Sequence, residues 1–261
     1  MPAASREGGA PASFPPMPGY FELTRKHSYS LLFALPLLVL YEAGAALMAD
    51  RAGGMRNGAD VLLRTLLGAG GLHGTLALTA LLALGAAVLI ARERRRARVP
   101  LEGHVFAGML AESVVYALLF GFVVGGLTSW VLGMGGLSLA ADGGAMQRLP
   151  LAQGVVLSLG AGIYEELVFR VLLVGGLLYV FLHAGLGRTP SRVYAALLAA
   201  LLFSAFHYVG PYAYPWELSS FTFRFLAGLA FSVLFIARGF GIAAWTHALY
   251  DVFLIVTQGG G

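Results

Sequence analysis

Seven long apolar runs constrain the fold of this chain more than any other feature of the sequence. They cover residues 29–49, 74–91, 104–132, 152–182, 193–208, 221–237 and 240–257. A helix that crosses a membrane needs about 20 consecutive, mostly apolar residues. Only 11% of the residues are charged, far below the roughly 25% of ordinary soluble domains. The runs therefore predict an all-α fold, a polytopic transmembrane helical bundle.

The number of spans depends on residues 61–72. This segment is apolar but short, and it contains Arg64, which favours an interfacial or re-entrant helix over a full span. We therefore expect seven to eight spans. Basic residues cluster most densely from Arg92 to Arg98, and the positive-inside rule places that loop and the N-terminus in the cytoplasm. Residues 1–27 are expected to form a disordered cytoplasmic tail, because their first part is rich in Pro, Ala, Gly and Ser.

The two halves of the chain differ in their buried polar chemistry. A Gly-rich loop near 133–149 separates predicted N-terminal transmembrane helices, residues 28–150, from a second group of helices at 151–257. Most ionisable groups within apolar runs belong to the second group, which we interpret as the catalytic core. Glu112 lies deep in an apolar run of the first half and is expected to have a polar partner, because an unpaired charge in a membrane is costly.

The densest charge lies in Glu165-Glu166-Leu167-Val168-Phe169-Arg170, in the middle of an apolar run. Each charge at the centre of a span costs about 2.5–3.5 kcal/mol on insertion scales, so three within six residues indicate a functional site. Glu166 and Arg170 are four residues apart on one helical face and are predicted to pair as a structural support. Glu165 points about 100° away and is predicted to be the acid that exchanges a proton. A purely structural charge cluster is the alternative.

Two further polar groups end or interrupt later apolar runs. His207 ends the sequence Phe203-Ser204-Ala205-Phe206-His207, and Phe203 lies one turn before it, where it could pack beside the site. His247 and Asp251 are four residues apart in the last run, which suits an imidazole oriented by a carboxylate or two ligands of one metal ion. Because polar groups from three helices are most easily satisfied together, they are expected to meet around one cavity.

Several chemistries are excluded or disfavoured by the residues themselves. The chain has no cysteine, which removes thiolate nucleophiles, and it lacks the HExxH pattern of a zinc protease. Its net charge of +4 comes from basic residues at run ends, so no nucleic-acid partner is expected. The expected partners are the lipid bilayer and a peptide or membrane-protein substrate. One lysine among the 17 basic residues is typical of a GC-rich bacterium, so we expect a multi-pass protein of a bacterial plasma membrane.

The three elements EELVFR, FSAFH and HALYD, in this order, resemble the EExxxR, FxxxH and Hxxx(N/D) motifs of the CPBP family. This family contains type II CAAX prenyl endopeptidases and bacteriocin-processing and lysostaphin-resistance-like proteins. The resemblance covers about residues 153–256. It implies peptide-bond hydrolysis within the membrane, in which Glu165 activates water with help from His207. Glu166 and Arg170 would hold the helix, and His247 with Asp251 would stabilise the oxyanion. The better known endopeptidases of this family have Asn at the position of Asp251.

Two questions stay open at the level of sequence. Glu165, His207 and His247 could form a two-His, one-carboxylate zinc site, but the same residues could also act without metal. Straight full spans would place His207 near the outer face and His247 about 10 Å from the cytoplasmic face, so the two should not meet unless residues 208–220 dip into the membrane. The alternatives to a protease are a non-catalytic scaffold or immunity-type protein and an ion-coupled transporter.

Overall fold

The computed structural model describes residues 19–49, 55–73, 76–96, 100–134, 149–210 and 213–258. Within these ranges every element of secondary structure is a helix. The nine helices of the described residues are α1 (Tyr20–Leu23), α2 (His27–Met48), α3 (Gly58–Ala69), α4 (Ala77–Arg96), α5 (Gly103–Val131), α6 (Leu151–His183), α7 (Arg188–Phe206), α8 (Leu218–Arg238) and α9 (Phe240–Gln258). The prediction of an all-α helical bundle is confirmed.

Six of these helices, α2 and α5 to α9, are long and apolar enough to cross a membrane. Between 22% and 50% of each span is buried inside the bundle, so much of its apolar surface is left to face lipid. The run at 74–91 is helical from Ala77, but this helix, α4, ends in the charged sequence Arg92-Glu93-Arg94-Arg95-Arg96. That ending leaves α4 only about 15 apolar residues, roughly 22 Å of helix, which is shorter than a typical span. The count of six in the described residues is therefore close to the predicted seven to eight.

The short segment of the first half is a helix, as its sequence suggests. Helix α3 begins after Asn57, whose side chain accepts a hydrogen bond from the backbone N–H of Ala59 at 2.8 Å. This is the arrangement of an N-cap residue, which satisfies one of the free donors of the first turn. At 12 residues α3 is too short to cross a bilayer. Its interfacial or re-entrant placement stays a prediction.

The predicted disordered tail, residues 1–27, is wrong at its C-terminal end. Residues 1–18 lie outside the described part of the chain, but α1 follows directly, and Leu23 is buried. The hydroxyl of Tyr20 donates to Glu112 on α5 at 2.7 Å. This contact holds the end of the segment against the bundle. The composition of residues 1–20 therefore does not describe the whole stretch to residue 27.

Helix α9 is the central element of the bundle. It packs against α2, α5, α6 and α8. Small residues make this possible, since Ala243, Ala244 and Ala248 on α9 are all buried. Helix α8 turns directly into α9 at Gly239, whose φ of +88° is a conformation that side chains rarely allow. Because α9 is central, it brings residues of α2, α5, α6 and α8 close to one another.

Candidate active site

Helix α6 is wound more widely than an α-helix in its middle. From Ala161 to Glu165 and from Leu167 to Val174 it has π-helical turns, which are rare and occur often at functional sites. A wider turn contains more residues, so neighbouring side chains diverge by less than the 100° expected for an α-helix. Glu165 and Glu166 are accordingly both buried, with 8% and 0% of their surfaces exposed. They nevertheless meet different partners, as the sequence predicts.

Glu166 lies between two cationic or protonatable groups. Its Oε1 is 3.2 Å from Nη1 of Arg170, which agrees with the predicted pair. The same oxygen is 2.7 Å from Nδ1 of His247 on α9. The Arg170 guanidinium also lies over the ring of Phe203, 4.5 Å from its centroid, on the neighbouring helix α7. Glu166 and Arg170 thus join α6 to both α7 and α9.

His207 follows the last residue of α7, and its ring turns back along the helix. Its Nδ1 is 2.8 Å from the carbonyl oxygen of Phe203. A carbonyl only accepts, so Nδ1 carries the proton and Nε2 of the neutral ring is a free acceptor. Nε2 is 4.0 Å from Oε2 of Glu165. This is too long for a direct hydrogen bond but short enough for one water molecule to contact both atoms.

Asp251 is close to His247, but the contact is weaker than the sequence suggests. Oδ2 of Asp251 is 3.6 Å from Nε2 of His247. Glu166, at 2.7 Å from Nδ1, is the carboxylate that orients this ring. The four-residue spacing correctly predicts that His247 and Asp251 lie on one helical face. It cannot predict that Glu166, on another helix, lies closer to His247.

One cavity collects the predicted residues. It has a volume of about 120 Å³, and Glu165, Phe203, His207, His247 and Asp251 all line it. A buried water needs about 10–15 Å³ of such volume, so the cavity can hold several waters or part of a peptide. Its other walls come from α6, α8, α9 and the segment before α8, and they include Ala161, Tyr214, Phe223, Arg224, Ala227, Tyr250, Leu254 and Ile255.

His207 and His247 therefore meet, although straight spans would separate them. The backbone N–H of Tyr214 donates to the carbonyl of His207 at 3.0 Å, and Tyr214 itself lines the cavity. Residues 213–217 are not helical, so irregular backbone lies beside the site, as expected for the segment after His207. The depth of these groups in a bilayer stays a prediction.

The geometry offers no support for the zinc alternative. In the described ranges no three His, Asp or Glu side chains are arranged to hold a metal ion. The two ring nitrogens of His247 face Glu166 and Asp251, at 2.7 and 3.6 Å. Nδ1 donates to Glu166 and so cannot ligate, whereas 3.6 Å is too long for a hydrogen bond from Nε2 to Asp251. Within the described residues, Glu165, His207 and His247 do not form a three-ligand group as they stand.

Three residues near the site, Asn57, Arg224 and Tyr214, were not identified from the sequence. Asn57, on the other half of the chain, donates from Nδ2 to Oε1 of Glu165 at 2.8 Å. Arg224 lines the cavity with its guanidinium 4.2 Å from the centroid of the Tyr214 ring. The sequence signal for Asn57 was its position before Gly58 and three residues before Asp60, which is typical of a helix start. That signal predicts the helix but not the partner of the side chain.

Comparison with known families matches one part of the chain. Residues 147–253 match the model of a family described as type II CAAX prenyl endopeptidase Rce1-like. This range nearly coincides with the predicted core at 151–257 and contains every candidate catalytic residue. It does not contain Asn57. Comparisons with curated proteins and with solved structures returned no match.

Proposed function

Because residues 147–253 form a domain of the CPBP family of intramembrane proteases, we propose that this multi-pass membrane protein hydrolyses a peptide bond inside the cavity between α6, α7, α8 and α9. The observation that carries the proposal is the approach of Glu165 and His207. Oε2 of the acid and Nε2 of the imidazole face each other across 4.0 Å at the wall of that cavity. This is a suitable geometry for holding and deprotonating one water molecule.

In the proposed reaction Glu165 accepts a proton from water while His207 accepts a hydrogen bond from the same molecule. The water oxygen then forms a bond to the carbonyl carbon of the substrate, and the carbonyl oxygen becomes an oxyanion. The proton held by Glu165 passes to the amide nitrogen as the carbon–nitrogen bond breaks. Glu165 thus serves first as base and then as acid. Peptide hydrolysis by general acid–base catalysis needs both roles.

His247 is the proposed donor to the oxyanion. Its Nδ1 can only donate to the Glu166 carboxylate, so its Nε2 becomes a second donor when the ring is an imidazolium. A buried cation with a fixed orientation stabilises developing negative charge effectively. Asp251 would orient this ring rather than contact the oxyanion, because an ionised carboxylate accepts hydrogen bonds and repels negative charge. Glu166, Arg170 and Phe203 would hold the helices in register.

The proposed substrate is a membrane-associated peptide, either prenylated or carrying a leader sequence, and the proposed location is a bacterial plasma membrane. The cavity suits such a substrate because its polar groups lie beside Phe223, Ala227, Leu254 and Ile255. Pockets of this kind bury apolar groups and use a few polar atoms for orientation.

The test is cleavage by variants in native membranes or liposomes. Glu165→Gln keeps the shape of the side chain but cannot accept the proton, so we expect cleavage to fall by a factor of about 10² to 10⁴. His207→Ala should cause a similar loss. Glu22→Gln is the matched control, because Glu22 has 61% of its side-chain surface exposed and pairs only with Lys26 among the described salt bridges. The inactive Glu165→Gln protein can also retain its substrate, which mass spectrometry of the purified complex would identify.

Normal cleavage by both Glu165→Gln and His207→Ala would contradict the catalytic roles proposed for these two residues. If the protein's activity in cells survived Glu165→Gln although no cleavage was detected, a scaffold or immunity-type protein would be the better interpretation. Transport driven by a proton gradient would instead support an ion-coupled transporter.

A further inference from the structure

A single hydrogen bond connects Glu165 to the first half of the chain. Nδ2 of Asn57 donates to Oε1 of Glu165 at 2.8 Å across 108 positions of sequence. Both side chains are buried, each with 8% of its surface exposed. The bond leaves Oε2 of Glu165 to face His207. One oxygen of the proposed base is therefore fixed, and the other is presented to the cavity.

The orientation of the Asn57 amide is determined by its two partners. The backbone N–H of Ala59 donates to Oδ1 at 2.8 Å, so this atom must be the amide oxygen. The NH₂ group then points at Glu165, whose carboxylate can only accept. Asn57 thus has two separable tasks. Its oxygen caps α3, and its nitrogen binds Glu165.

A buried network holds the backbone of Asn57 in place. Its N–H donates to the hydroxyl of Tyr41 at 3.1 Å, and that hydroxyl donates to Asp60 at 2.8 Å. Asp60 is fully buried and is paired with Arg56 at 2.7 Å and Arg64 at 2.6 Å. Satisfied networks of this kind are rigid because every member has a partner. The position of the amide therefore does not depend on Glu165 alone.

Helix α6 has a glycine where this network approaches it. A Cβ atom built at Gly160 would lie 3.0 Å from Cβ of Asn57 and would overlap the ring of Tyr41. A side chain there would have to displace the rigid network. Because Gly160 has no side chain, α2 and α3 come close enough for the Asn57 amide to reach Glu165, which lies five residues after Gly160.

We propose that Asn57 is a positioning residue for the proposed base, so that the N-terminal half completes a site whose candidate catalytic residues all lie in residues 147–253. The inference rests on the proposed function. A donor on Oε1 restricts rotation of the carboxylate and directs Oε2 towards the water shared with His207. Such preorganisation lowers the barrier of the chemical step. Asn57 is not among the residues that line the cavity, so it should not affect substrate binding.

The experiment compares Asn57→Ser with Asn57→Ala in the full-length protein. Both substitutions remove the NH₂ donor. Serine is as good an N-cap as asparagine, whereas alanine is a poor one, so Asn57→Ala should lower the melting temperature further than Asn57→Ser, which loses only the bond to Glu165. We expect both to reduce kcat by about 10- to 100-fold, the range for loss of a hydrogen bond to a charged group, with KM unchanged. Glu165→Gln is assayed beside them.

Three outcomes would be informative in different ways. If kcat of Asn57→Ser matched that of the unmodified protein while Asn57→Ala fell with its melting temperature, Asn57 would be a helix cap only, and the inference would be overturned. A higher KM with unchanged kcat would overturn it too, because that pattern indicates substrate binding. If Glu165→Gln retained cleavage, the proposed function itself would fail, whatever the result at Asn57.

Discussion

His247 illustrates how one residue depends on groups that the sequence places far away. Its ring lies between Glu166 at 2.7 Å and Asp251 at 3.6 Å, and it stacks on Phe231 with the ring centroids 4.5 Å apart. The closer acid is buried completely and also pairs with Arg170. Removing one partner of such a buried pair leaves the charge of the other uncompensated, and this is strongly destabilising. Glu166 is therefore the acid that holds the His247 ring in place, and substitution of Asp251 should be tolerated better than substitution of Glu166.

Substitution of Asp251 by asparagine should be tolerated. Asparagine has the same shape, removes a negative charge from the cavity wall and can still contact the imidazole, so we expect the rate of cleavage to stay within about tenfold of the unmodified protein. Kinetics with the substrate identified by trapping would measure it. A loss as large as that of Glu165→Gln would mean that an ionised Asp251 takes part in the chemistry.

At the scale of elements, the junction between α6 and α9 decides the geometry of the site. A Cβ atom at Gly162 would lie 2.5 Å from the carbonyl oxygen of Ala244 and 2.7 Å from Cβ of Ala248. Both contacts are closer than atoms normally approach, and one of them involves backbone. The glycine therefore allows α9 to lie directly against the π-helical part of α6. This contact brings Glu166 within reach of His247.

The prediction for this junction is a contrast between two glycines of the same helix. Gly162→Ala should destabilise the protein by about 1–3 kcal/mol through overpacking and should lower kcat, because α9 must move away from Glu166. Gly176→Ala is the matched control, since a Cβ atom there would meet nothing within 4 Å apart from its chain neighbours and the adjacent backbone of its own helix. Alanine favours a helix over glycine, so this control should be neutral or stabilising by up to about 1 kcal/mol. Thermal unfolding in detergent and cleavage rates would measure both, and equal behaviour of the two variants would contradict the assignment.

At the scale of the whole molecule, a second polar cluster links the bundle away from the cavity. Arg238, at the end of α8, forms a bidentate pair with Glu112 on α5, with nitrogen–oxygen distances of 2.5 and 2.7 Å. Tyr20 and Tyr116 also donate to this carboxylate. The expectation that Glu112 has a polar partner is confirmed. Since none of these residues lines the cavity, the cluster is suited to stability rather than chemistry.

We therefore predict that Glu112→Gln affects stability without affecting the reaction. Loss of the charge leaves Arg238 without its carboxylate, and because Glu112 is only part-buried the cost should lie below the about 3–5 kcal/mol of breaking a fully buried pair. The melting temperature should fall, while kcat and KM of the protein that remains folded should be unchanged. The exposed control Glu22→Gln should cost less than about 1 kcal/mol. A reduced kcat in folded Glu112→Gln would connect this cluster to the site.

The sequence by itself determined the membrane-spanning helices, because long apolar runs leave the backbone few other ways to satisfy its hydrogen bonds in lipid. It also determined local pairs such as Glu166 with Arg170, since the spacing of four residues defines one helical face. The approach of Glu165, His207 and His247 to a single cavity followed from the cost of isolated buried charge.

Only the tertiary structure decided which groups actually touch. Asn57 meets Glu165 across 108 residues, and His247 meets Glu166 across 81. These contacts depend on the wide turns of α6 and on glycines that allow helices to approach, and neither follows from hydropathy or local spacing. The family match at residues 147–253 contains every candidate catalytic residue but not Asn57. Contacts between distant helices are fixed by packing in three dimensions, which a one-dimensional pattern constrains but does not specify.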